Sequence, residues 1–213
     1  MNNNLPKIGE RVEKASHFIP KVNTLLDIGC GDGVLMHFIH GRVKRVYGID
    51  NSQKELQKAN KLGFKTKLVN LDKEDIPFKA NDFDCITCLD VIEHVYDPTK
   101  LLSEIHRVLK KNGKLIISTP NVRFSDHLFT LIFKGKFPKT SLDPELYDGG
   151  HIHFFTYKDM HLLLQEAGFK KIQESGIINK NERGWKGKLI ESFVGAKLMR
   201  EFRTPGILLI ATK

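Results

Sequence analysis

The sequence predicts an α/β fold in which a mostly parallel, seven-stranded sheet carries helices on both faces. Short runs rich in β-branched residues alternate with amphipathic helical patterns through the middle of the chain, which is typical of βαβ units around a parallel sheet. A glycine-rich turn directly follows the first of these runs. The chain has 213 residues, the length of one domain, so we expect residues 1–213 to form a single domain.

Seven segments have the composition of strands. They are residues 24–29, 43–50, 64–71, 83–89, 113–119, 169–178 and 206–213. The sixth and seventh have no helix of the usual crossover kind between them, and parallel neighbours need such a crossover. We therefore expect the final strand to insert antiparallel beside the fifth.

Three helices have sequence signals at both ends. They are expected between Ser52 and Gly63, between Asp97 and Asn112, and between Thr156 and Gly168. The first and third begin with the spacing of a capping box, in which an acidic residue follows a hydroxyl residue by three positions. A glycine at or just beyond the end of each helix suits the left-handed conformation that terminates helices.

Three segments lie outside the repeating α/β plan. Residues 1–21 are expected to contain an N-terminal helix, residues 121–150 form an insertion after the fifth strand, and residues 179–205 form a basic segment before the last strand. Long connections in compact domains are often functional lids, so we expect substrate contacts in the later two. For the basic segment, a solvated helix face is the simpler interpretation, and contact with an anionic substrate or a membrane surface is the alternative.

Composition excludes several classes of protein. The chain is 40% hydrophobic and 28% charged, as in ordinary globular domains. It has no apolar run of about 20 residues for a membrane span and no apolar stretch of a signal peptide at its start, so we expect a cytoplasmic protein. The net charge of +9 favours a lysine-rich solvated surface, with an anionic substrate, a membrane surface or RNA as alternatives.

Cysteine usage argues against a disulfide framework or a metal-binding pair. The chain has three cysteines, an odd and sparse set. Cys85 and Cys88 have CxxC spacing, but both lie within a predicted buried strand. Residues three apart on a strand point to opposite faces, so we expect both thiols to pack in the core.

The strongest motif is LLDIGCGDG at residues 25–33. Glycines are needed where the backbone turns sharply and approaches a ligand. The dinucleotide fingerprint G-x-G-x-x-G does not fit, because its third glycine, counted from Gly29, would fall at Val34. Asp27 and Asp32 also flank the turn, where they would repel a diphosphate. The acidic surroundings suit a cationic sulfonium instead.

Two further carboxylates follow predicted strands. Asp50 ends the second strand, where it could accept hydrogen bonds from both hydroxyls of a ribose. Asp72 lies just past the third strand, where it could accept a hydrogen bond from an adenine amino group. The carboxyl ends of the strands are the edge at which open α/β sheets bind ligands, so these residues predict one nucleoside site.

These motifs, with FDCITCLDVIEHVYDP, VLKKNGKLIISTPN and HIHFFTYKDMHLLLQEAGF, resemble the class I S-adenosylmethionine-dependent methyltransferases of the ubiquinone/menaquinone and type-11 or type-23 groups. Residues 120–155 are also similar to proteins related to the methionine-biosynthesis protein MetW. The resemblance implies a Rossmann-like fold, S-adenosylmethionine as cofactor and S-adenosylhomocysteine as product. It implies cofactor contacts at Asp27, Gly29, Cys30 and Gly31, at Asp50 and Asn51 (ribose), at Leu71 and Asp72 (adenine), and at Leu89 and Asp90 (sulfonium).

Two histidines are candidate catalytic residues. His94 follows the fourth strand, near the expected position of the methyl group, where it could act as a general base. His151 lies in an extended segment, on the same side as His153, and could face the acceptor. Packing or structural contacts are the alternative role for each. We expect no metal, because no third ligand of suitable spacing stands out.

Three functions are compatible with these features. The first is methyl transfer to an O, N or C nucleophile of a small molecule, by in-line displacement at the sulfonium methyl. The second is a regulatory, cofactor-binding partner protein of the MetW kind. An RNA methyltransferase is the third, supported only by the net charge and lacking the NPPY-type motif of base-amino methylation.

Overall fold

The computed structural model describes residues 8–141, 147–176 and 201–213. At its centre is a seven-stranded sheet in the order β3-β2-β1-β4-β5-β7-β6. Its strands are β1 (Val22–Ile28), β2 (Val43–Asp50), β3 (Lys65–Leu68), β4 (Phe83–Leu89), β5 (Leu109–Pro120), β6 (Lys170–Glu174) and β7 (Gly206–Thr212). The pairs among β1 to β5 are parallel, whereas β7 pairs antiparallel with both β5 and β6. The expected position and direction of the last strand are confirmed.

Helices pack on both faces of this sheet. They are α1 (Ile8–Ser16), α2 (Met36–Ile39), α3 (Gln53–Lys61), α4 (Pro98–Val108) and α6 (Tyr157–Glu166), whereas α5 (Ser125–Lys134) belongs to the insertion after β5. The apolar residues of α1, α2 and α3 form one buried cluster with alternate residues of the strands. Those of α4 and α6 form the cluster on the opposite face. Cys85 belongs to the first cluster and Cys88 to the second, which confirms that the two thiols point apart.

The helix starts follow the capping signals of the sequence. The Ser52 hydroxyl accepts a hydrogen bond from the backbone N–H of Glu55 at 3.4 Å. At α6 the capping box is complete: the Thr156 hydroxyl accepts from the backbone N–H of Asp159 at 3.2 Å, and the Asp159 carboxylate accepts from the backbone N–H of Thr156 at 2.9 Å. These contacts satisfy backbone donors that no helical turn could satisfy.

The boundary between α4 and β5 differs from the prediction. The helix ends at Val108, and Leu109 is already extended, with ψ of 136°. Leu109 pairs with Phe83 of β4, and the register then shifts before Lys114 pairs with Cys85. The apolar side chain of Leu109 suits a helix face and a buried strand equally. The sequence pattern therefore extended the predicted helix past Val108, into residues that belong to the strand.

The insertion after β5 contains α5 and a short 3₁₀ turn, Tyr147–Gly150. The chain beyond this turn is tied to the end of β4, because the backbone N–H groups of Ile152 and His153 both donate to the carbonyl of Glu93. Most of the basic segment predicted at 179–205 lies outside the described residues. Among the described helices, none has the length and apolar character that crossing a membrane requires.

Candidate cofactor and acceptor site

A crevice of about 330 Å³ opens at the carboxyl ends of the central strands, the edge expected for a ligand. Carboxylate, amide, imidazole and apolar groups share its wall. The lining residues are Gly29, Ile49, Asp50, Asn51, Val69, Asn70, Leu71, Asp72, Asp90, Val91, His94 and Val95. The structure thus brings together seven of the residues proposed from the sequence: Gly29, Asp50, Asn51, Leu71, Asp72, Asp90 and His94.

The glycine loop after β1 forms one end of the crevice. Gly29 and Gly31 have φ of +68° and +49°, values that side-chain-bearing residues rarely adopt. A Cβ on Gly29 would lie 2.3 Å from Cγ2 of Val91, whereas a Cβ on Gly31 would meet no atom within 4 Å. Gly29 therefore lets the loop approach the turn after β4, and Gly31 faces open space that a ligand can enter.

Asp50 joins this loop to the end of β2. One carboxylate oxygen accepts a hydrogen bond from the backbone N–H of Gly31 at 2.9 Å, and the other accepts from the backbone N–H of Ser52 at 2.9 Å. These bonds fix the carboxylate on the crevice wall. Each oxygen keeps a further lone pair, so Asp50 can also accept from the two hydroxyls of a ribose.

Asp72 also lines the crevice, in the segment after β3. Its carboxylate accepts a hydrogen bond from the backbone N–H of Tyr96 at 2.8 Å, which connects the segment after β3 to the turn after β4. Apolar residues Ile49, Val69 and Leu71 line the crevice as well. A flat aromatic base could rest on these side chains while a donor on its edge reaches the carboxylate.

Three of the residues proposed from the sequence lie beneath the crevice. Asp27 is 5% exposed and accepts a hydrogen bond from the Thr87 hydroxyl at 2.7 Å. Burial raises the pKa of Asp27 to about 7, the Thr87 hydrogen bond opposes this rise, and the charge of Asp50 adds to it. Cys30 is buried in the core cluster of α1, α2 and α3, and the partly buried Leu89 packs against that cluster.

Asp90 is fixed from both sides in a left-handed conformation, with φ of +53°. The Ser118 hydroxyl donates to one carboxylate oxygen at 3.0 Å, and the Arg11 guanidinium forms an ion pair with the other at 2.8 Å. Arg11 belongs to α1, so the N-terminal helix lies against this end of the crevice. Sequence reasoning missed Arg11, because no motif links it to a residue 79 positions away.

The two candidate catalytic histidines lie side by side. Their ring centroids are 4.7 Å apart, in an edge-to-face arrangement. Nδ1 of His94 lies 3.3 Å from the carbonyl oxygen of Gly150, and Nδ1 of His151 lies 2.6 Å from Oγ1 of Thr140. His94 is exposed on the crevice wall, whereas the side chain of His151 is only 6% exposed behind it. Burial lowers the pKa of His151, and the nearby His94 lowers it further, which favours the neutral imidazole.

Glu93 is a site residue that the sequence analysis missed. It is 1% exposed, and neither of its carboxylate oxygens has a hydrogen-bond partner within the described part of the chain. Oε1 lies 3.9 Å from Nε2 of His151. Burial raises the pKa of Glu93 well above its ordinary value, and the charge of Asp90 raises it further. Its position directly before His94 was the one signal available.

Comparison with known families identifies the family of this chain. A family model described as a methyltransferase domain, of the type-23 group, matches residues 2–174. The chain belongs to the methyltransferase family. Membership of this family supports S-adenosylmethionine as the cofactor that the crevice holds.

Curated relatives include ubiquinone biosynthesis O-methyltransferases. The protein of this name from Coxiella burnetii is 34% identical to the methyltransferase over 114 residues, which cover 51% of this chain and 48% of the relative. That from Acinetobacter baylyi is 30% identical over 114 residues, with the same coverage. The methyltransferase therefore matches about half the length of these relatives.

Solved structures share the fold of the methyltransferase at low sequence identity. An S-adenosylmethionine-dependent methyltransferase from Archaeoglobus fulgidus has a TM-score of 0.68 at 18% identity, over 97% of this chain and 93% of its own. A possible histamine N-methyltransferase from Thermotoga maritima has a TM-score of 0.65 at 20% identity, over 96% and 89%. These similarities support the Rossmann-like fold expected from the sequence.

The residues of the crevice fit this cofactor. Its volume lies within the usual range for small-molecule sites, and the space above Gly31 admits a ligand against the backbone. Three carboxylates, of Asp50, Asp72 and Asp90, line the wall. Acceptors of this kind suit a cationic ligand with hydroxyl and amino donors, and they would repel a diphosphate.

Proposed function

We propose that the methyltransferase transfers the methyl group of S-adenosylmethionine to a hydroxyl oxygen of a small-molecule acceptor. The observation that carries this proposal is the shared crevice, in which the nucleoside-binding carboxylates and His94 line one continuous wall. The names of the curated relatives support oxygen as the methylated atom. Methyl transfer to nitrogen or carbon has no comparable support in those names.

The protein residues hold the cofactor in a defined direction along the crevice. We assign the ribose to Asp50 and Asn51, adenine to Leu71 and Asp72, and the methionine portion to the backbone of the glycine loop. The sulfonium end then lies near Asp90 and His94. The sulfonium supplies an activated methyl group, so the protein mainly aligns the acceptor in line with it and excludes water.

His94 and His151 serve the acceptor in this proposal. Hydrogen bonding of Nδ1 of His94 to the Gly150 carbonyl requires a proton on Nδ1, which leaves the lone pair of the neutral ring on Nε2. Nε2 can then accept a proton as the acceptor hydroxyl becomes a nucleophile. His151 stands behind His94 and fixes the orientation of its ring through their edge-to-face contact.

The insertion at 121–150 is assigned to the apolar part of the acceptor. Helix α5 exposes Phe129, Ile132 and Phe133, whose exposed fractions are 51%, 67% and 73%. Such a concentration of exposed apolar surface is typical of a binding face. We propose that this helix acts as a lid over the acceptor. A peripheral contact with a membrane surface is an alternative role for the same face, supported by the neighbouring Lys134 and Lys136.

The regulatory, MetW-like function gains no observation of its own from the structure or the relatives. It predicts tight association with a partner protein and no turnover. Formation of S-adenosylhomocysteine with a phenolic or alcoholic acceptor distinguishes the proposed enzyme from such a regulator.

The proposed cofactor site is tested by calorimetry with S-adenosylhomocysteine. We expect micromolar binding to the unchanged protein and binding weaker by about 10- to 100-fold in Asp50→Ala, since hydrogen bonds to a charged group contribute about 1.5–3 kcal/mol. Asp82→Asn is the matched control, because Asp82 is an exposed carboxylate just before β4, at the other edge of the sheet. No binding to the unchanged protein, or equal binding by both variants, would contradict the proposal.

A further inference from the structure

We infer that Glu93, His94 and His151 bind a divalent transition-metal cation at the acceptor end of the crevice. This inference rests on the proposed function and changes one step of it: with the Nε2 lone pair of His94 bound to the cation, the cation, and not His94 itself, promotes loss of the acceptor's proton. Each of the three residues offers one ligand atom, and these atoms all lie within 4.8 Å of one another. Ligand atoms bound to one such ion lie about 2.0–2.2 Å from it, so small side-chain rotations would close the site.

The hydrogen bonds of the two histidines leave their outer nitrogens free to bind a metal. The Thr140 hydroxyl donates to the Asp148 carboxylate at 2.7 Å, so its oxygen accepts from Nδ1 of His151 at 2.6 Å. The Gly150 carbonyl likewise accepts a hydrogen bond from Nδ1 of His94. In both rings the lone pair is therefore on Nε2. Such oxygen acceptors behind a histidine are the usual support of a metal ligand.

Glu93 gives a second, independent indication of a bound cation. A carboxylate buried without full hydrogen bonding is costly. Neither oxygen of Glu93 has a partner with hydrogen-bond geometry within the described residues; the Thr119 hydroxyl lies nearby but does not meet that geometry. The nearest guanidinium identified, that of Arg11, is already paired with Asp90. A cation between Glu93 and the histidines would supply the missing charge and bonds.

The ligand set defines the class of metal. Two imidazoles and one carboxylate suit Zn²⁺, Mn²⁺, Fe²⁺ or Co²⁺, whereas Mg²⁺ and Ca²⁺ prefer oxygen ligands throughout. Three protein ligands also leave a coordination position open. An acceptor hydroxyl in that position would lie beside His94 on the crevice wall, close to the expected methyl group.

The cation would make the acceptor a better nucleophile at neutral pH. A divalent ion lowers the pKa of a bound hydroxyl, and the released proton passes to solvent water. An oxygen lone pair then forms the new O–CH₃ bond as the S–CH₃ bond breaks, and the electrons of that bond remain on sulfur. The products are the methyl ether and S-adenosylhomocysteine, whose sulfur is neutral.

The inference is tested by titrating Mn²⁺ and Zn²⁺ into chelator-treated full-length protein, followed by calorimetry and by the electron paramagnetic resonance of Mn²⁺. We expect one site per chain, and affinity lower by about 10-fold or more in Glu93→Gln, His94→Ala and His151→Asn. His40→Ala is the control, because His40 is an exposed histidine after α2. Thermal melts of each variant verify that it folds. If a variant of buried Glu93 or His151 fails to fold, His94→Ala still tests the site, because His94 is exposed.

Binding of S-adenosylhomocysteine, measured on the same samples, separates this inference from the proposed function. Absence of a metal site, or affinity unchanged in all three ligand variants, with normal S-adenosylhomocysteine binding would overturn the inference alone. Loss of S-adenosylhomocysteine binding in the unchanged protein would contradict the proposed function instead. We expect turnover to fall on chelation and to return when Mn²⁺ or Zn²⁺ is added.

Discussion

Asp27 carries an ionisable group that the fold has withdrawn from water. Its pKa is raised to about 7 from 3.8, so the folded protein retains a proton that the unfolded chain releases near pH 4. Stability therefore falls as pH rises from about 4 to 7 and stays lower above that range. The charged form is the destabilising one.

Asp27→Asn should consequently stabilise the protein at pH 7.5 and have little effect at pH 4. The amide oxygen can still accept the Thr87 hydrogen bond, and one pKa unit corresponds to about 1.4 kcal/mol, so we expect a gain of a few kcal/mol. Urea unfolding at several pH values measures it. A gain that is the same at both pH values would refute this explanation.

His94→Gln should lower turnover by about 100-fold or more, the usual contribution of a residue that removes a proton, with little change in S-adenosylhomocysteine affinity. In the proposed arrangement His94, which lines the same crevice, contacts the acceptor and not the nucleoside. Product formation and calorimetry on the same preparation test the two parts. Unchanged turnover would remove His94 from the reaction.

The role of a residue was predictable where a carboxylate directly follows a predicted strand, at the edge of the sheet that binds ligands. Asp50 and Asp72 were identified in this way, and both line the crevice. Glu93 was not identified, because a glutamate beside a histidine in a short turn is common on protein surfaces. Its burial depends on the segment at 151–153, which the sequence does not show to be adjacent.

Helix α6 depends on its capping box for a defined start. Thr156→Ala removes the hydroxyl that accepts from the backbone N–H of Asp159, and we expect a loss of about 1 kcal/mol in the free energy of unfolding. Lys158→Ala, an exposed change in the same turn, is the control. Chemical denaturation of both variants should show a loss only for Thr156→Ala.

Element types were predictable from periodicity, but several boundaries were not: β1 is Val22–Ile28 instead of 24–29, β3 is Lys65–Leu68 instead of 64–71, and β6 is Lys170–Glu174 instead of 169–178. Strands β2 and β4 have the predicted limits, because turn residues and charges flank their apolar runs. The end of α4 was misplaced from Val108 to Asn112, since apolar residues continue through Leu109 in both interpretations. Pairing of Leu109 with Phe83 of β4 places Leu109 in the strand and not in the helix. Such pairing between distant segments cannot be predicted from the local sequence.

The crevice depends on the close approach of the loops after β1 and β4, which is a property of the whole sheet. Gly29→Ala would place a Cβ 2.3 Å from Cγ2 of Val91, at a φ of +68°. Gly41→Ala is a matched control, with φ of +75° and no atom within 4 Å of the added Cβ. The difference between the two variants isolates the contact from the backbone strain.

Gly29→Ala should lose about 1–3 kcal/mol more stability than Gly41→Ala, the usual cost of overpacking, and should bind S-adenosylhomocysteine more weakly. Gly41→Ala should show only the penalty of its conformation, about 1–2 kcal/mol. Thermal unfolding and calorimetry provide both numbers. Equal losses would mean that Val91 moves aside without cost.

Contacts between distant parts of the chain were the least predictable. The ion pair of Arg11 with Asp90 links the N-terminal helix to the end of β4. The sequence around either residue does not indicate that the two are in contact. Of the sheet order, the sequence predicted only the place of the last strand, antiparallel beside the fifth, because the segments before it lack a crossover helix, and the structure confirms that place.

The burial of all three native thiols has a practical consequence. Cys30, Cys85 and Cys88 are each buried, and burial raises the pKa of every one, that of Cys85 to about 12. A maleimide dye reacts with exposed thiolates, so the folded protein offers it no target. A single cysteine introduced on α5 could then carry a fluorophore without any native cysteine being replaced, and its emission would report when this helix meets an acceptor or a lipid surface.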